Sequence, residues 1–185
     1  MDEVRTVVSR DGTTIAYGRY GAGDGPAVVL VSGGPGAGEA PLARLLARDF
    51  PVFVYDRRGR GHAPGREVED LAAVLAAAGP GAAVHGSGEG GALALVAAAA
   101  GLPVAAVSVF EPAYDALGAL PEVHARVLVV DGGASPAPVR RAARELSALL
   151  PRARHRTLTG QTHEVAPHVL APVLAEFVAE SSELG

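Results

Sequence analysis

The chain is expected to fold as an α/β protein, a doubly wound, mostly parallel sheet with a leading antiparallel hairpin. Three observations predict it. Apolar runs without polar alternation, AVVLV at Ala27 to Val31, VFVYD at Val52 to Asp56 and RVLVV at Arg126 to Val130, suit strands covered on both faces. Helix-forming segments stand between successive runs, the alternation that parallel strands with crossover helices produce. Two β-rich segments, Arg5 to Ser9 and Thr13 to Tyr20, flank Asp11-Gly12, a favoured hairpin turn, and open the chain as an antiparallel edge pair.

The elements follow in order. After the glycine-rich loop Gly21 to Pro26 comes the strand Ala27 to Val31, then the loop SGGPGAGEA and a helix over Leu42 to Ala47. The strand Val52 to Asp56 runs into RRGRGHAPGR, a loop by its glycines and proline. A helix over Val68 to Ala78 stops at Gly79-Pro80-Gly81. Ala82 to Leu95, AAVHGSGEGGALAL, reads as a short strand, a sharp glycine turn and an alanine/leucine helix. Gly101-Leu102-Pro103 breaks the chain before the strand Val104 to Phe110. Past the strand Arg126 to Val130 and a loop over Asp131 to Ser135, Pro136 starts a helix to Leu149, and His155 to Leu158 is a last strand. A helix over Val169 to Glu180 closes the fold, with Ser181 to Gly185 fraying. No repeat or linker divides residues 1–185, so a single domain is expected.

Composition narrows the function classes. The formal net charge is −4, and the basic clusters Arg57 to Arg60, Arg140 to Arg144 and Arg152 to Arg156 are dispersed along the chain, which favours solvated surface over a nucleic-acid face. The absence of cysteine excludes a disulfide framework, thiol catalysis and thiolate metal sites. No stretch is apolar enough to span a membrane, and the N-terminal MDEVRTVVSRDG carries acids where a signal peptide needs bases, so a cytoplasmic location is expected. The apolar fraction rests on Ala, Val and Leu, with no Trp, which gives Phe50, Phe53, Tyr55 and Phe110 disproportionate weight in the core.

Five landmarks together carry a resemblance: DGTTIAY in the hairpin, VVLVSGG after the third strand, YDRRGRG after the fourth, HGSGEGG at the glycine turn and LTGQTHE near the end. The chain resembles the α/β-hydrolase superfamily, whose nucleophile elbow reads G-x-S-x-G. With the two motif glycines on Gly86 and Gly90, the nucleophile position falls on Gly88; Ser87 lies one residue early, between His85 and Glu89. The resemblance implies an oxyanion loop at Ser32-Gly33-Gly34, with backbone N–H groups of Gly34 and Glu89 as candidate donors, and Ser87 and Gly88 beside them in the substrate site. His163 takes the place of the family's catalytic histidine. For the supporting acid, the usual position holds Ser135; Glu111, at the end of a strand, is the alternative, with Asp131 a weaker one. Relatives commonly insert a helical lid where only Glu111 to Ala125 stands here, so the cap domain is expected to be absent.

These readings imply an enzyme that lacks the serine nucleophile and uses His163, supported by Glu111, for non-covalent general acid/base catalysis on a small or medium organic carbonyl compound. Cyclisation, elimination, isomerisation and activation of water all fit. The alternatives are a non-catalytic pseudo-hydrolase that binds a small molecule or protein, and an esterase-type hydrolase acting through Ser87. No cofactor is expected, and no metal: THEVAPH resembles H-E-x-x-H, but His163 and His168 are five apart and Pro167 intervenes. His85 suits a buried hydrogen-bonded role and His62 a surface one. No nucleic-acid or membrane partner is expected. A homodimer is, through Tyr114, Leu117, Leu120 and Val123 in the short connection FEPAYDALGALPEV.

Overall fold

A computed structural model of the chain describes residues 3–23, 25–33, 38–58, 64–113 and 123–182. Eight strands form one sheet: β1 (Glu3–Val8), β2 (Thr14–Tyr20), β3 (Val28–Val31), β4 (Val52–Tyr55), β5 (Ala83–Ser87), β6 (Ala106–Phe110), β7 (Arg126–Gly132) and β8 (Ala153–Leu158). Their order is β1-β2-β4-β3-β5-β6-β7-β8. β1 pairs antiparallel with β2, and β2 antiparallel with β4; every pairing from β4 to β8 is parallel. The described helices are α1 (Ala40–Leu46), α2 (Pro64–Ala78), α3 (Gly88–Ala99), α4 (Ala137–Leu149) and α5 (Pro167–Ser182).

The central strands alternate their side chains between two cores. Val29 and Val31 of β3 join a cluster with Leu71 of α2, Leu95 of α3 and Leu146 of α4, whereas Val28 and Leu30 join Leu42 and Leu46 of α1 with Leu170, Leu174 and Phe177 of α5. Both faces of the sheet are therefore covered, which is why β3 carries no polar residue. Phe50, Phe53, Tyr55 and Phe110 are all buried. His85 is buried too, with Nδ1 2.9 Å from Ser108 Oγ on the neighbouring strand.

Boundaries move in two informative places. α2 starts at Pro64 rather than at Val68, because proline at the first helical position loses no intrahelical hydrogen bond and its fixed φ already suits the helix. β7 runs on through Asp131 and Gly132, which pair in register with Thr157 and Leu158, so Asp131 is a strand residue instead of a loop residue. Two arginines also depart from the solvated surface expected of them. Arg57 and Arg58 have side chains only 10% and 9% exposed. Arg58 forks between Asp70 of α2 and Asp11 in the hairpin turn, and Arg57 forks onto Glu67. Planar guanidinium-carboxylate pairing lets the charges sit against the fold without stranding them. Asp11 is held well below the usual carboxylate range, chiefly by its hydrogen bonds to the Arg58 guanidinium.

Of the residues expected to form a dimer patch, Tyr114, Leu117 and Leu120 lie outside the described residues. Val123 is fully buried in the core that contains β6 and β7. His62 also lies outside them.

The turn between β5 and α3 tolerates no side chain at its flanking glycines. A Cβ on Gly90 would stand 2.3 Å from Val31 O and 2.6 Å from Ser32 O, both backbone atoms that cannot rotate away. We expect Gly90→Ala to lower the unfolding free energy by at least the ~1–3 kcal/mol typical of overpacking, read from urea melts. Burial also lowers the His85 pKa to about 4. The unfolded chain then takes up a proton that the native chain refuses as pH falls from the ordinary value near ~6.5, so stability drops through the window from there to about 4. The difference between wild-type and His85→Leu stability curves should slope in that window and be flat above it.

Candidate active site

The parallel strands β3, β5, β6 and β7 all end on one side of the molecule, where the loops that follow them enclose a cleft of about 1150 Å3. Gly33, Ser87, Gly88, Glu89, Glu111 and His163 all line it. Ser32, just behind Gly33, is buried, and Gly34 lies outside the described residues.

β5 delivers the central turn. Ser87 ends the strand in extended conformation, φ −109° and ψ 146°, and Gly88 takes φ +52° as α3 begins. That left-handed conformation costs a residue with a Cβ on the order of 1–2 kcal/mol, which glycine avoids. The turn is also pressed together, since a Cβ on Gly86 would stand 2.4 Å from Gly90 C. Gly33 is seated on the end of the strand: a Cβ there would be 3.1 Å from Ser87 O. A Cβ at Gly88, by contrast, would meet only His163, with Cε1 at 4.0 Å.

Glu111 follows β6 and has φ +42°, the one positive φ of a non-glycine among the described residues. Such backbone costs on the order of 1–3 kcal/mol and persists only where the surroundings over-determine it. Here they do. The side chain is 2% exposed, Oε1 accepts the Gly132 N–H at 2.9 Å, and Oε2 lies 3.0 Å from His163 Nδ1. His163, in the loop from β8 to α5, is itself 69% exposed. An ionised Glu111 can only accept, so the pairing places the imidazole proton on Nδ1 and leaves Nε2 with its lone pair, able to take a proton.

The other candidate acids are engaged elsewhere or have no carboxylate. Asp131 Oδ2 lies 3.2 Å from His155 Nε2, on the neighbouring strand, and Ser135 is buried. Glu89, in the first turn of α3, is partly exposed and 3.6 Å from Arg57 Nη1. Among the described residues no group of three or more His, Asp or Glu side chains could hold a metal ion.

Two cleft residues escaped the sequence reading. Arg57 sits under the turn, its Nε and Nη2 fixed by Glu67 at 2.9 and 3.0 Å, so that α2 and the first turn of α3 are tied through one guanidinium. Glu39 occupies the N-cap position of α1 without using its side chain as a cap, and lines the cleft instead. Desolvation there pushes its carboxyl up to about 7. A carboxylate facing a cleft and one facing water have the same sequence signature, so only the path of the loop could reveal it.

A family model described as "Alpha/beta hydrolase family" matches residues 28–184. An α/β hydrolase from Sphaerobacter thermophilus is 36% identical, with 94% of this chain and 99% of that one covered and a TM-score of 0.85. At lower identity the fold is shared with an esterase from a Rhodococcus species, 18% identical over 95% of this chain and 98% of that one with a TM-score of 0.79. It is shared also with Est1E from Butyrivibrio proteoclasticus, 15% identical over 96% and 98% with a TM-score of 0.81. A search of curated proteins returned no significant match. With the sheet order, the elbow-like turn and a family model spanning most of its length in agreement, the chain belongs to the α/β-hydrolase family.

Proposed function

We propose that this protein is an enzyme that keeps the α/β-hydrolase cleft but works without a serine nucleophile, using His163 as a general base and acid with Glu111 behind it, on a small or medium organic carbonyl compound. The observation that carries the reading is the point facing the imidazole. The place from which a nucleophile's side chain would project, 4.0 Å from His163 Cε1, belongs to Gly88, which has none. A glycine there cannot form an acyl-enzyme, and it leaves room for the substrate itself to approach the ring.

The residues around it support proton transfer. The Glu111 carboxylate orients the imidazole through Nδ1 and favours its protonated form once Nε2 has taken a proton. The N-terminus of α3 presents backbone N–H groups at Gly88 and Glu89, where developing negative charge on a substrate oxygen is favoured. The backbone strain held at Glu111 argues for the same pair, since a carboxylate with only a structural role could stand on relaxed backbone. Ring closure, elimination, isomerisation and activation of water all need no more than this set.

A second reading deserves its own test because Ser87 also lines the cleft, one structural neighbour is named an esterase and another a serine hydrolase. In that reading Ser87 attacks in a shifted register. A fluorophosphonate probe separates the two: we expect no labelling, whereas stoichiometric labelling abolished by Ser87→Ala would establish the hydrolase.

Two further outcomes are expected. His163→Ala should lower the rate of the native reaction at least ~10²-fold, the lower end of what general acid/base catalysis supplies, with little change in melting temperature because the side chain is mostly exposed. Gly88→Ser should gain slow hydrolysis of p-nitrophenyl acetate, and that gain should vanish in the double variant with His163→Ala. A folded Gly88→Ser protein with no reaction would count against an oxyanion site at this turn.

A further inference from the structure

We propose that Glu39 is the general acid that works opposite His163, delivering a proton to the substrate oxygen while the imidazole removes one from carbon. The proposal rests on the acid/base reading above and names the chemistry of that site: enolisation of a substrate with a proton α to a carbonyl.

Topology brings the two groups to one end of the molecule. α1 follows β3 and α5 follows β8, and both helices pack on the same face, where Leu42 and Leu46 share a core with Leu170 and Leu174. Each helix returns against parallel strands, so both begin at the carboxyl end of the sheet. Glu39 is the N-cap residue of α1, and His163 lies in the loop that leads into Pro167 at the start of α5. Both line the cleft that holds Gly88.

Among the described residues the carboxyl of Glu39 has no structural partner. It makes no cap hydrogen bond to its own helix, and no cation of the described residues forms an ion pair with it. The charged and titratable groups that share the cleft are Arg57 after β4, Glu89 on α3, Glu111 after β6, and His163 and Glu164 before α5. Arg57 is already held by Glu67. Loss of water at the cleft wall raises the carboxyl to about 7, so the group stays substantially protonated near neutrality. A protonated carboxyl is a donor, which is what a carbonyl oxygen requires as it gains charge.

The step balances within the cleft. Nε2 of His163 takes the α-proton, the C–H electron pair becomes the C=C bond, and the carbonyl π pair takes the proton of Glu39. The products are the enol, an imidazolium paired with Glu111, and a Glu39 carboxylate. Reversal returns both protons, and in D2O the carbon proton comes back as deuterium. Microscopic reversibility therefore turns the cycle into an exchange reaction that needs no knowledge of the natural substrate.

Phenylacetone serves as the probe, because its benzylic protons are acidic and uncharged rings suit an apolar cleft wall. Loss of its methylene signal in D2O is followed by proton NMR with wild type, Glu39→Gln and His163→Ala, and the Glu39 side-chain carbon is titrated by carbon-13 NMR in the wild type. We expect wild-type exchange above the buffer rate, its loss in His163→Ala, and a fall of at least about 10²-fold in Glu39→Gln. The wild-type rate should decline as pH rises through about 7, the range in which the Glu39 carboxyl loses its proton, and that limb should be missing from Glu39→Gln. Exchange that depends on His163 but is untouched by Glu39→Gln, or a Glu39 carboxyl that titrates in the ordinary carboxylate range, overturns the proposal and leaves the base reading standing. Wild-type exchange no faster than buffer overturns both.

Discussion

The arrangement depends on one buried carboxylate. The Glu111 side chain is 2% exposed, and its two oxygens are engaged from two different elements, the backbone of β7 at Gly132 and the imidazole before α5. Losing the Gly132 N–H would strand a buried acceptor, at a cost of about 1–3 kcal/mol, whereas Oε2 faces a largely exposed imidazole whose place water can take. The same demand accounts for its left-handed backbone: a relaxed residue after β6 would aim the side chain elsewhere. Strand end, neighbouring strand and distant loop are thus drawn to a common point by the need to satisfy one buried carboxyl.

Much of the fold was legible because burial on two faces leaves a mark. β3, β4 and β7 read as unbroken apolar runs, and the Asp11-Gly12 turn announced the hairpin. The boundaries of α2 and β7 were less legible, since proline is compatible with both a loop and a helix start, and Asp131 resembles a loop residue until its side chain is seen to pair with His155. Glu111 and His163 could be named from the family resemblance, which puts a histidine in the loop before the last helix and offers the end of β6 as an alternative place for the acid. That they lie within hydrogen-bond distance could not, because some fifty positions of chain separate them, and only the sheet order makes the ends of β6 and β8 near neighbours.

Charge was the least legible property. Arg57 and Arg58 sit in a run that reads as a solvated loop, yet both are paired and largely covered. Their partners, Glu67, Asp70 and Asp11, are dispersed over the hairpin and α2, so the pairing exists only in three dimensions. Glu39 is the opposite case, a carboxyl that no described cation pairs with. A cleft can hold one acid as a proton acceptor's support and another as a donor only because their surroundings differ, and sequence records residues without surroundings.

α3 gives this site an uneven mechanical character. Its residues from Gly90 to Ala98 are almost all buried and six of the nine are Gly or Ala, so the helix lies close against sheet and neighbour. Segments so placed open only when much of the molecule opens with them, and their amides are the slowest to exchange. The half of the cleft that begins at Gly88 is therefore a fixed anvil. Across from it the His163 side chain is mostly exposed, so the two sides of the cleft differ in how tightly the fold encloses them.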